Sequence, residues 1–252
     1  MEGYGPATYG DAIAEVYDEW YGPRMDPTAA VDLLAELAGS GRALELGIGT
    51  GRVALPLAGR GVAVSGIDAS QAMVARLREK PGGPDIPITF GNFADVAVDG
   101  SFSLIYVPFT TLFGLDSQSE QIRCLRNVAS HLVPGGHFVM DAFVPDLSRF
   151  QDEQCTTTQH INLGSVMLDV SRHDSVQQRI ESSHVVIGPD GVRLFPVSVR
   201  YAWPAELDAM ALAAGMQLQA RYGDYDRRPF DSACARHVSI YRLVESVYTP
   251  ER

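Results

Sequence analysis

The sequence predicts an α/β protein built around a doubly wound, mainly parallel sheet. Between residues 43 and 143, short apolar strands alternate with amphipathic helices, the pattern of a parallel sheet covered on both faces. The first strand leads into a glycine-rich turn, Gly47 to Gly51, and a helix follows directly. Such a turn brings backbone N–H groups and the positive end of the helix dipole close to a ligand, which is typical of a nucleotide-type cofactor site.

The individual elements follow from the spacing of the apolar residues. Helices are expected at 11–22, where Ile13, Val16 and Trp20 recur at helical spacing, and from Asp26 to Ala38. The predicted strands of the sheet are then 43–47, 62–67, 86–90, 102–107 and 137–143, with helices at 51–60, 70–80 and 117–131 between them. Only the ends, about 1–10 and 245–252, are expected to be loosely held.

The pattern changes after Asp146. Residues 157–203 show the alternation and turn signals of an antiparallel meander, and a helix at 204–214 then precedes two last strands at 216–222 and 237–243. The expected parts of the chain are a helical segment at 1–40, a sheet domain formed by 41–145 and 204–244, and an antiparallel β insertion at 146–203.

Charge and composition limit the classes of partner. The 252 residues carry 20 Lys and Arg against 31 Asp and Glu, a net charge of −11. The basic face that binds polyanions is therefore not expected, and neither nucleic acid nor a membrane is a predicted partner. No apolar stretch has the length of a membrane span, and the first residues lack the pattern of a signal peptide. Three widely spaced cysteines without a CxxC pair favour a reducing compartment and argue against a zinc site. We therefore expect a cytoplasmic protein without a bound metal.

The residues around the glycine turn distinguish between two kinds of nucleotide cofactor. The dinucleotide fingerprint places its third glycine one position after Gly51, where this chain has Arg52. Glu45 lies inside the end of the first strand, where a carboxylate suits an ammonium group and gains nothing from a pyrophosphate. Asp68 ends the second strand, and a carboxylate there can bind both ribose hydroxyls. The combination predicts a nucleoside cofactor with an amino-acid tail and no phosphate.

Four motifs in this order resemble those of the class I S-adenosylmethionine (SAM) dependent methyltransferases. They are Glu45 to Gly51, Asp68-x-Ser70-x-x-Met73, Gly91-Asn92-Phe93 and Leu132 to Gly136. The resemblance implies SAM as the cofactor and a Rossmann-like seven-stranded sheet of order 3-2-1-4-5-7-6, with strand seven antiparallel. It also implies that the glycines line the methionine moiety, that Asp68 holds the ribose, and that adenine follows the third strand. The expected cofactor-binding residues are Tyr17, Tyr21, Glu45, Gly47, Gly49, Gly51, Arg52, Asp68, Ala69, Met73, Asn92, Phe93 and Val107.

A second resemblance concerns the segment ahead of the sheet. Tyr17-Asp18-Glu19-Trp20-Tyr21 is similar to the Tyr-Asp-x-x-Tyr stretch of small-molecule N-methyltransferases, among them the nucleotide-amino-sugar and glycine N-methyltransferases. It implies that the N-terminal helices form a lid over the cofactor and that Tyr21 approaches the sulfonium. In that group an antiparallel insertion either covers the substrate cleft or builds a dimer, so a homodimer stays open.

The candidate catalytic residues come from three parts of the chain. Tyr21 belongs to the lid, Asp141 ends the fifth strand, and His160 lies in the insertion together with His173 and His184. Each carries a group that can contact the methyl acceptor or accept its proton.

Three further features have no assigned chemistry at this point. The aromatic stretch 106–113 and the loop 222–230 are expected near the cleft. The arginines of the insertion are expected on a solvated face; they are Arg172, Arg179, Arg193 and Arg200.

The sequence favours a SAM-dependent methyltransferase that methylates nitrogen or oxygen of a small metabolite, with a sugar or natural-product scaffold preferred. The missing metal-ligand pattern disfavours metal-dependent catechol methylation. Two alternatives stay open. One is an NAD(P)-dependent oxidoreductase, against which Glu45 and Arg52 argue. The other is a SAM-binding protein without catalysis, because this fold leaves the acceptor site to variable loops.

Overall fold

The computed structural model describes residues 1–22 and 26–244; the expectation for 245–252 lies outside them. The helices are α1 (Thr8–Ile13), α2 (Tyr17–Tyr21), α3 (Thr28–Ala38), α4 (Ala54–Gly59), α5 (Gln71–Arg78), α6 (Gln118–His131) and α7 (Pro204–Ala213). The strands are β1 (Arg42–Leu46), β2 (Ala63–Asp68), β3 (Ile88–Phe90), β4 (Phe102–Val107), β5 (Leu132–Phe143), β6 (Gln154–Ile161), β7 (Val166–Asp174), β8 (Arg179–Gly188), β9 (Gly191–Arg200), β10 (Met216–Tyr222) and β11 (Arg236–Leu243).

Seven strands form one sheet in the order β10-β11-β5-β4-β1-β2-β3. Strands β1 to β5 pair in parallel, and β11 runs antiparallel to both of its neighbours, β5 and β10. Counted along the sheet domain, β10 and β11 are its sixth and seventh strands. The predicted order 3-2-1-4-5-7-6 and the antiparallel seventh strand are therefore confirmed. The parallel strands place their carboxyl ends at one edge of the sheet.

Two apolar layers enclose this sheet. Along β4, Ile105 and Val107 belong to one layer, whereas Leu104 and Tyr106 belong to the other, because successive side chains of a strand point to opposite faces. Helices α6 and α7 contribute to the first layer and α3, α4 and α5 to the second. Since both faces are covered, the central strand β4 is buried without interruption from Leu104 to Val107.

A second, antiparallel sheet of four strands contains β6-β7-β8-β9 in sequence order. It packs against the N-terminal helices, where the Trp20 and Phe195 rings meet edge to face with their centroids 4.8 Å apart. Its other surface leaves apolar side chains in contact with solvent, with Val192 62% and Leu194 63% exposed. The insertion therefore has a buried side that faces the lid and an exposed side.

The expectation that all the arginines of the insertion lie on a solvated face is wrong for Arg200. Its side chain is buried and pairs with Glu206 of α7 at 2.5 Å, while its second terminal nitrogen donates to Gln121 of α6 at 2.9 Å. Gln121 in turn donates to the backbone oxygen of Arg200. Alternation along a strand could not show this, because both partners lie outside the strand, on α7 directly after it and on α6 far earlier in the chain.

The N-terminus also differs from expectation. The helix predicted over 11–22 is two short helices, α1 and α2, and α1 begins at Thr8, inside the segment expected to be loose. The Ser70 hydroxyl donates to Asp11 at 2.6 Å, and Gly10 lies so close to Ser70 that a Cβ there would approach its Cβ to 2.6 Å. Contacts with the sheet domain therefore order this segment. None of the helices within residues 1–22 and 26–244 is long and apolar enough to cross a membrane.

We predict that Glu206→Ala lowers the free energy of unfolding by about 3 kcal/mol, because it leaves the buried Arg200 guanidinium without its carboxylate partner. Urea unfolding followed by circular dichroism measures this. Glu36→Ala is the matched control, since Glu36 pairs with Arg227 where both side chains are largely exposed, and it should change stability by less than about 1 kcal/mol. Equal losses in the two variants would contradict a role for the buried pair.

Candidate active site

A cavity of about 500 Å³ opens at the carboxyl ends of the parallel strands, between the sheet domain, the N-terminal helices and the second sheet. Ligands of doubly wound α/β proteins bind at this edge. Its walls include the glycine turn after β1, the end of β2, both lid helices and residues 197–199 of β9. The cavity therefore brings together the three regions that the sequence singled out separately.

The glycine turn forms one wall of the cavity. Gly47 and Gly49 have φ values of +70° and +55°, which side-chain-bearing residues rarely adopt. A Cβ on Gly47 would lie 2.6 Å from Thr111 Cγ2, so only glycine fits there. At Gly49 a Cβ would meet nothing closer than the methyl of Met73 at 3.5 Å, so the backbone lies open to the cavity. Gly51 instead packs against Leu55 and Leu77.

Asp68 fastens this turn to the end of β2. Its Oδ2 accepts a hydrogen bond from Gly49 N at 2.7 Å, and its Oδ1 accepts one from Ser70 N at 2.8 Å. Burial raises the pKa of Asp68, although both backbone donors partly offset that shift. The carboxylate therefore fixes the turn and also contributes to the cavity wall.

Glu45 is a buried acid at the base of the cavity. Its side chain is only 2% exposed and accepts a hydrogen bond from the Tyr106 hydroxyl at 2.8 Å. Burial raises the pKa of Glu45 to about 8, against the opposing effects of Tyr106 and Arg52. A positive charge on a ligand would strongly stabilise the ionised form of Glu45, because it would compensate for the hydration that the carboxylate loses on burial.

Arg52 is the cationic counterpart of Glu45. Its guanidinium carbon lies 3.6 Å from the centroid of the Phe109 ring, and its Nη2 donates to the Tyr17 hydroxyl at 3.1 Å. Contact with the aromatic face stabilises the positive charge of this guanidinium. The cavity therefore has a buried acid, whose ionised form a cationic ligand would favour, and a guanidinium beside the glycine turn.

The lid presents three tyrosines to the cavity, Tyr9, Tyr17 and Tyr21. The Tyr17 and Tyr21 rings are 4.9 Å apart, and burial raises the pKa of Tyr17 to about 12. Burial also raises the pKa of Tyr9, so the hydroxyls of Tyr9 and Tyr17 are neutral hydrogen-bonding groups near pH 7. An ion pair at 2.6 Å and a hydrogen bond at 2.7 Å connect Asp18 of α2 to Lys80 and Thr50 of the sheet domain. These contacts hold the lid against the glycine turn.

The cavity wall also contains several residues that the sequence did not predict there or that were named only as members of a larger group. Asp116 and Glu120 follow β4, His184 and Ser198 come from the second sheet, and Tyr4 comes from the N-terminus. Burial raises the pKa of Tyr4, and the nearby Asp116 raises it further, while a hydrogen bond with the Ser198 backbone opposes both. No local motif marks these positions, because the residues meet only in the folded chain.

Known proteins share this architecture over the full length of the chain. Residues 43–136 match the profile of a family described as a methyltransferase domain. The structure of the CcbJ methyltransferase from Streptomyces caelestis is 42% identical, superposes with a TM-score of 0.90, and the match covers 96% of this chain and 100% of that one. The chain belongs to the class I SAM-dependent methyltransferases. The predicted cofactor is therefore SAM, and the alternative of a nicotinamide-dependent oxidoreductase is wrong.

Two other relatives agree with this assignment. The cypemycin N-terminal methyltransferase of a Streptomyces species is 28% identical over 229 residues, which span 89% of this chain and 93% of that protein. SAM-bound CalS10 of Micromonospora echinaspora, an amino pentose methyltransferase, is 23% identical and has a TM-score of 0.68, with 91% of this chain and 97% of that one covered. CalS10 at this identity supports the fold alone.

The methyltransferase cavity brings together most of the residues that the sequence singled out. Those that line it are Tyr17, Tyr21, Glu45, Gly47, Gly49, Arg52, Asp68, Ala69, Met73, Asn92 and Phe93. Gly51 and Val107 do not line it, because Gly51 faces helix-packing side chains and Val107 is buried in the apolar layer between the sheet and α6. Of the two aromatic regions, 106–113 contributes Phe109 and Thr111 to the wall, and 222–230 does not reach it.

Two of the three candidate catalytic residues are misplaced for direct contact with a substrate. His160 is exposed on the edge strand β6, where it bonds to Asn162. Asp141 is 3% exposed and accepts from the Tyr225 hydroxyl at 2.5 Å beneath the cavity floor. The insertion histidine that does line the cavity is His184. Across the part of the chain that the structure describes, no group of three or more His, Cys, Asp or Glu side chains could hold a metal ion.

We predict that the stability of the cofactor-free methyltransferase falls as pH rises from 5 to 8, with Glu45 as a main cause. Its folded pKa, about 8, lies above its ordinary value of 4.5, so its stabilising contribution is complete below the ordinary value and is lost as pH rises through the folded one. Glu45→Gln keeps an acceptor for Tyr106 and cannot ionise. Urea unfolding at the two pH values should show a fall that is smaller by roughly 2–4 kcal/mol in this variant.

Glu79→Gln is the matched control for this prediction. Glu79 is an exposed acid that pairs with Arg76 on the surface of α5, and its loss should leave the pH dependence of stability unchanged within about 0.5 kcal/mol. A pH dependence in Glu45→Gln equal to that of the wild type and of Glu79→Gln would refute the assignment.

Proposed function

We propose that the enzyme transfers the methyl group of SAM to an amine nitrogen of a small natural-product intermediate, such as an amino sugar or an amino-acid-derived scaffold. The observation that carries this proposal is the carboxylate of Asp116 in the cavity wall, near Tyr4 and Ser198, together with Glu120, which also pairs with Arg123. An amine nitrogen becomes positive as the new bond forms, and nearby carboxylates stabilise that charge. A hydroxyl would have to approach the alkoxide form beside the same carboxylates, which disfavour it.

The names of relatives support nitrogen as the acceptor. The cypemycin enzyme is described as an N-terminal methyltransferase. A Streptomyces fradiae relative, 26% identical over 196 residues, is named as an amino-sugar N,N-dimethyltransferase. These two names also support a natural-product setting for the reaction.

The residues beside the glycine turn fit SAM in charge and in space. We assign Glu45 to the ammonium group and Arg52 to the carboxylate of its amino-acid tail, because a cationic ligand favours the ionised form of a buried acid and a guanidinium attracts a carboxylate, and both side chains line the cavity. The open backbone at Gly49 suits the chain between the tail and the sulfur. Asp68 is assigned to the ribose hydroxyls, and Ala69, Met73, Asn92 and Phe93 to adenine and its surroundings.

The reaction needs alignment more than activation from the protein. Bound SAM supplies a methyl group on a sulfonium, which leaves readily. The task of this chain is to hold the acceptor nitrogen in line with that methyl group and to exclude water, for which the lid tyrosines Tyr9, Tyr17 and Tyr21 are suited by their position in the cavity wall.

His184 is our candidate for accepting the proton that the substrate ammonium loses before its lone pair can attack. Its ring lines the cavity, and Asp169 Oδ2 lies 3.6 Å from its buried Nδ1, which has no hydrogen-bond partner. Burial lowers the pKa of His184, and Asp169 opposes this only in part. The ring is therefore neutral near pH 7 and can take up a proton, after which Asp169 stabilises the imidazolium.

Two wider proposals concern the insertion and the setting of the enzyme. We propose that residues 146–203 act as the substrate cover, supported by the positions of His184 and Ser198 in the cavity wall. The exposed apolar residues Val192 and Leu194 on the outer side of the same sheet favour a homodimer contact there. The three free cysteines fit the reducing interior of the cytoplasm, and no nucleic-acid partner is proposed.

Turnover on a panel of amines, phenols and alcohols, measured as release of S-adenosylhomocysteine, tests the proposed function. We predict turnover with amines, and at least a tenfold weaker affinity for S-adenosylhomocysteine in Asp68→Ala by isothermal titration, since a charged hydrogen-bond acceptor is lost. The exposed Asp99→Ala is the matched control and should bind as the wild type does. Binding without turnover on any acceptor would favour a protein that has lost catalysis, and turnover on hydroxyls alone would contradict the amine assignment.

We predict that His184→Gln lowers kcat/KM at pH 7 by about 100-fold, because the substrate ammonium then lacks its proton acceptor. The loss should shrink toward alkaline pH, where the free amine predominates in solution. The increase of kcat/KM with pH should therefore occur at a higher pH in the variant than in the wild type. His160→Gln, on the exposed edge strand, is the control and should match the wild type. A loss that is the same at every pH would exclude proton acceptance by His184.

A further inference from the structure

The buried carboxylate of Asp141 organises the turn that follows β4. Asp141 lies near the end of β5, and its Oδ1 accepts from Phe109 N at 2.7 Å as well as from the Tyr225 hydroxyl. Its Oδ2 faces Arg236 at 3.4 Å, and its backbone oxygen accepts from Thr110 N at 3.1 Å. One residue of β5 thus satisfies two consecutive N–H groups of a turn from the neighbouring strand.

That turn has an unusual backbone. Phe109 and Thr110 have φ values of +59° and +65°, in the left-handed region that residues with a Cβ rarely occupy, and least often β-branched ones. Two such residues in succession persist only where the surroundings compensate for the strain. The hydrogen bonds to Asp141 are the compensation that the described residues provide here.

The left-handed turn decides where the Phe109 ring lies. The ring is 3.6 Å from the guanidinium carbon of Arg52, closer than the Tyr17 ring at 5.4 Å and the Tyr21 ring at 5.9 Å. The next residue, Thr111, packs against the position where a Cβ of Gly47 would be. The turn therefore supports both the cation beside the glycine turn and the glycine turn itself.

We propose that Asp141 is a positioning residue for the amino-acid tail of the cofactor: it holds the Phe109–Thr110 turn in its left-handed form and thereby keeps the Phe109 ring beneath Arg52. The proposal rests on the assignment of Arg52 to the cofactor carboxylate given above. It replaces the role in catalysis that the sequence predicts for Asp141.

The surroundings of Asp141 suit a structural anchor and not a proton acceptor. Burial raises the pKa of Asp141, and the Tyr225 hydroxyl, Arg236 and the Phe109 N–H all oppose that rise. The carboxylate therefore already has three donor groups around it. Tyr225 is itself buried, and Arg236 is also within 3.6 Å of Asp224. Asp141 does not line the cavity, whereas Phe109 and Thr110 of the turn that it supports do.

Two ligands that differ only in the amino-acid tail test whether Asp141 affects binding of that tail through Phe109 and Arg52. S-adenosylhomocysteine carries the ammonium and carboxylate groups, and 5′-methylthioadenosine lacks both. We expect Asp141→Ala to weaken binding of S-adenosylhomocysteine about tenfold in isothermal titration and to leave binding of methylthioadenosine within twofold of the wild type. Asp141→Asn keeps an oxygen acceptor for Phe109 N and should restore most of the lost affinity.

Asp146→Ala is the matched control, since Asp146 is an exposed aspartate five residues further on that bonds only to Ser148, and it should bind both ligands normally. If Asp141→Ala does not fold, Tyr225→Phe decides instead, because it removes the donor that fixes the carboxylate, and a loss of about threefold confined to S-adenosylhomocysteine is expected. Equal losses of affinity for both ligands, or no loss of affinity, would overturn the proposed positioning role of Asp141. Failure of the wild type to bind S-adenosylhomocysteine would instead overturn the proposed function.

Discussion

The hydrogen bond between Gly49 N and the Asp68 carboxylate is the interaction on which the rest of the site depends. It joins the turn after β1 to the end of β2, so the two strand ends that border the cavity are held together. Because Gly47 and Gly49 hold left-handed backbones, the turn can bend back toward β2 and still leave its surface open to a ligand. The lid contacts the same turn through Asp18. One partner of Asp18 is Thr50 within the turn, and the other is Lys80, which donates to the backbone oxygen of Thr50.

Different parts of the cavity wall contain different groups. Beside the glycine turn lie the buried acid Glu45 and the guanidinium of Arg52, our candidates for the ammonium and carboxylate groups of the cofactor's tail. The wall also contains the carboxylates of Asp116 and Glu120 and the hydroxyl groups of Tyr4 and Ser198. Such an arrangement lets one cavity hold two different molecules, since each set of groups favours a different distribution of charge.

Most of the fold could be predicted from the sequence, because its signals are local. Strand–helix alternation, the glycine turn and the motif around Asp68 each lie within a few residues of one another, and the sheet order follows once the family is recognised. The errors occurred where tertiary contacts outweigh local pattern. Arg200 reads as a surface strand residue but is buried by α6 and α7, and the first ten residues lack a pattern but are ordered by Ser70.

The sequence by itself determined the family, the cofactor and the residues beside the glycine turn, because those groups are adjacent in the chain and their spacing is set by one strand, one turn and one helix. Only the tertiary structure decided which histidine lines the cavity and that Asp141 bonds to the turn after β4. His160 and His184 lie on strands β6 and β8 of the same antiparallel sheet, with β7 between them. Their difference arises from the face and edge of the sheet on which each lies, which depends on how that sheet packs against the lid.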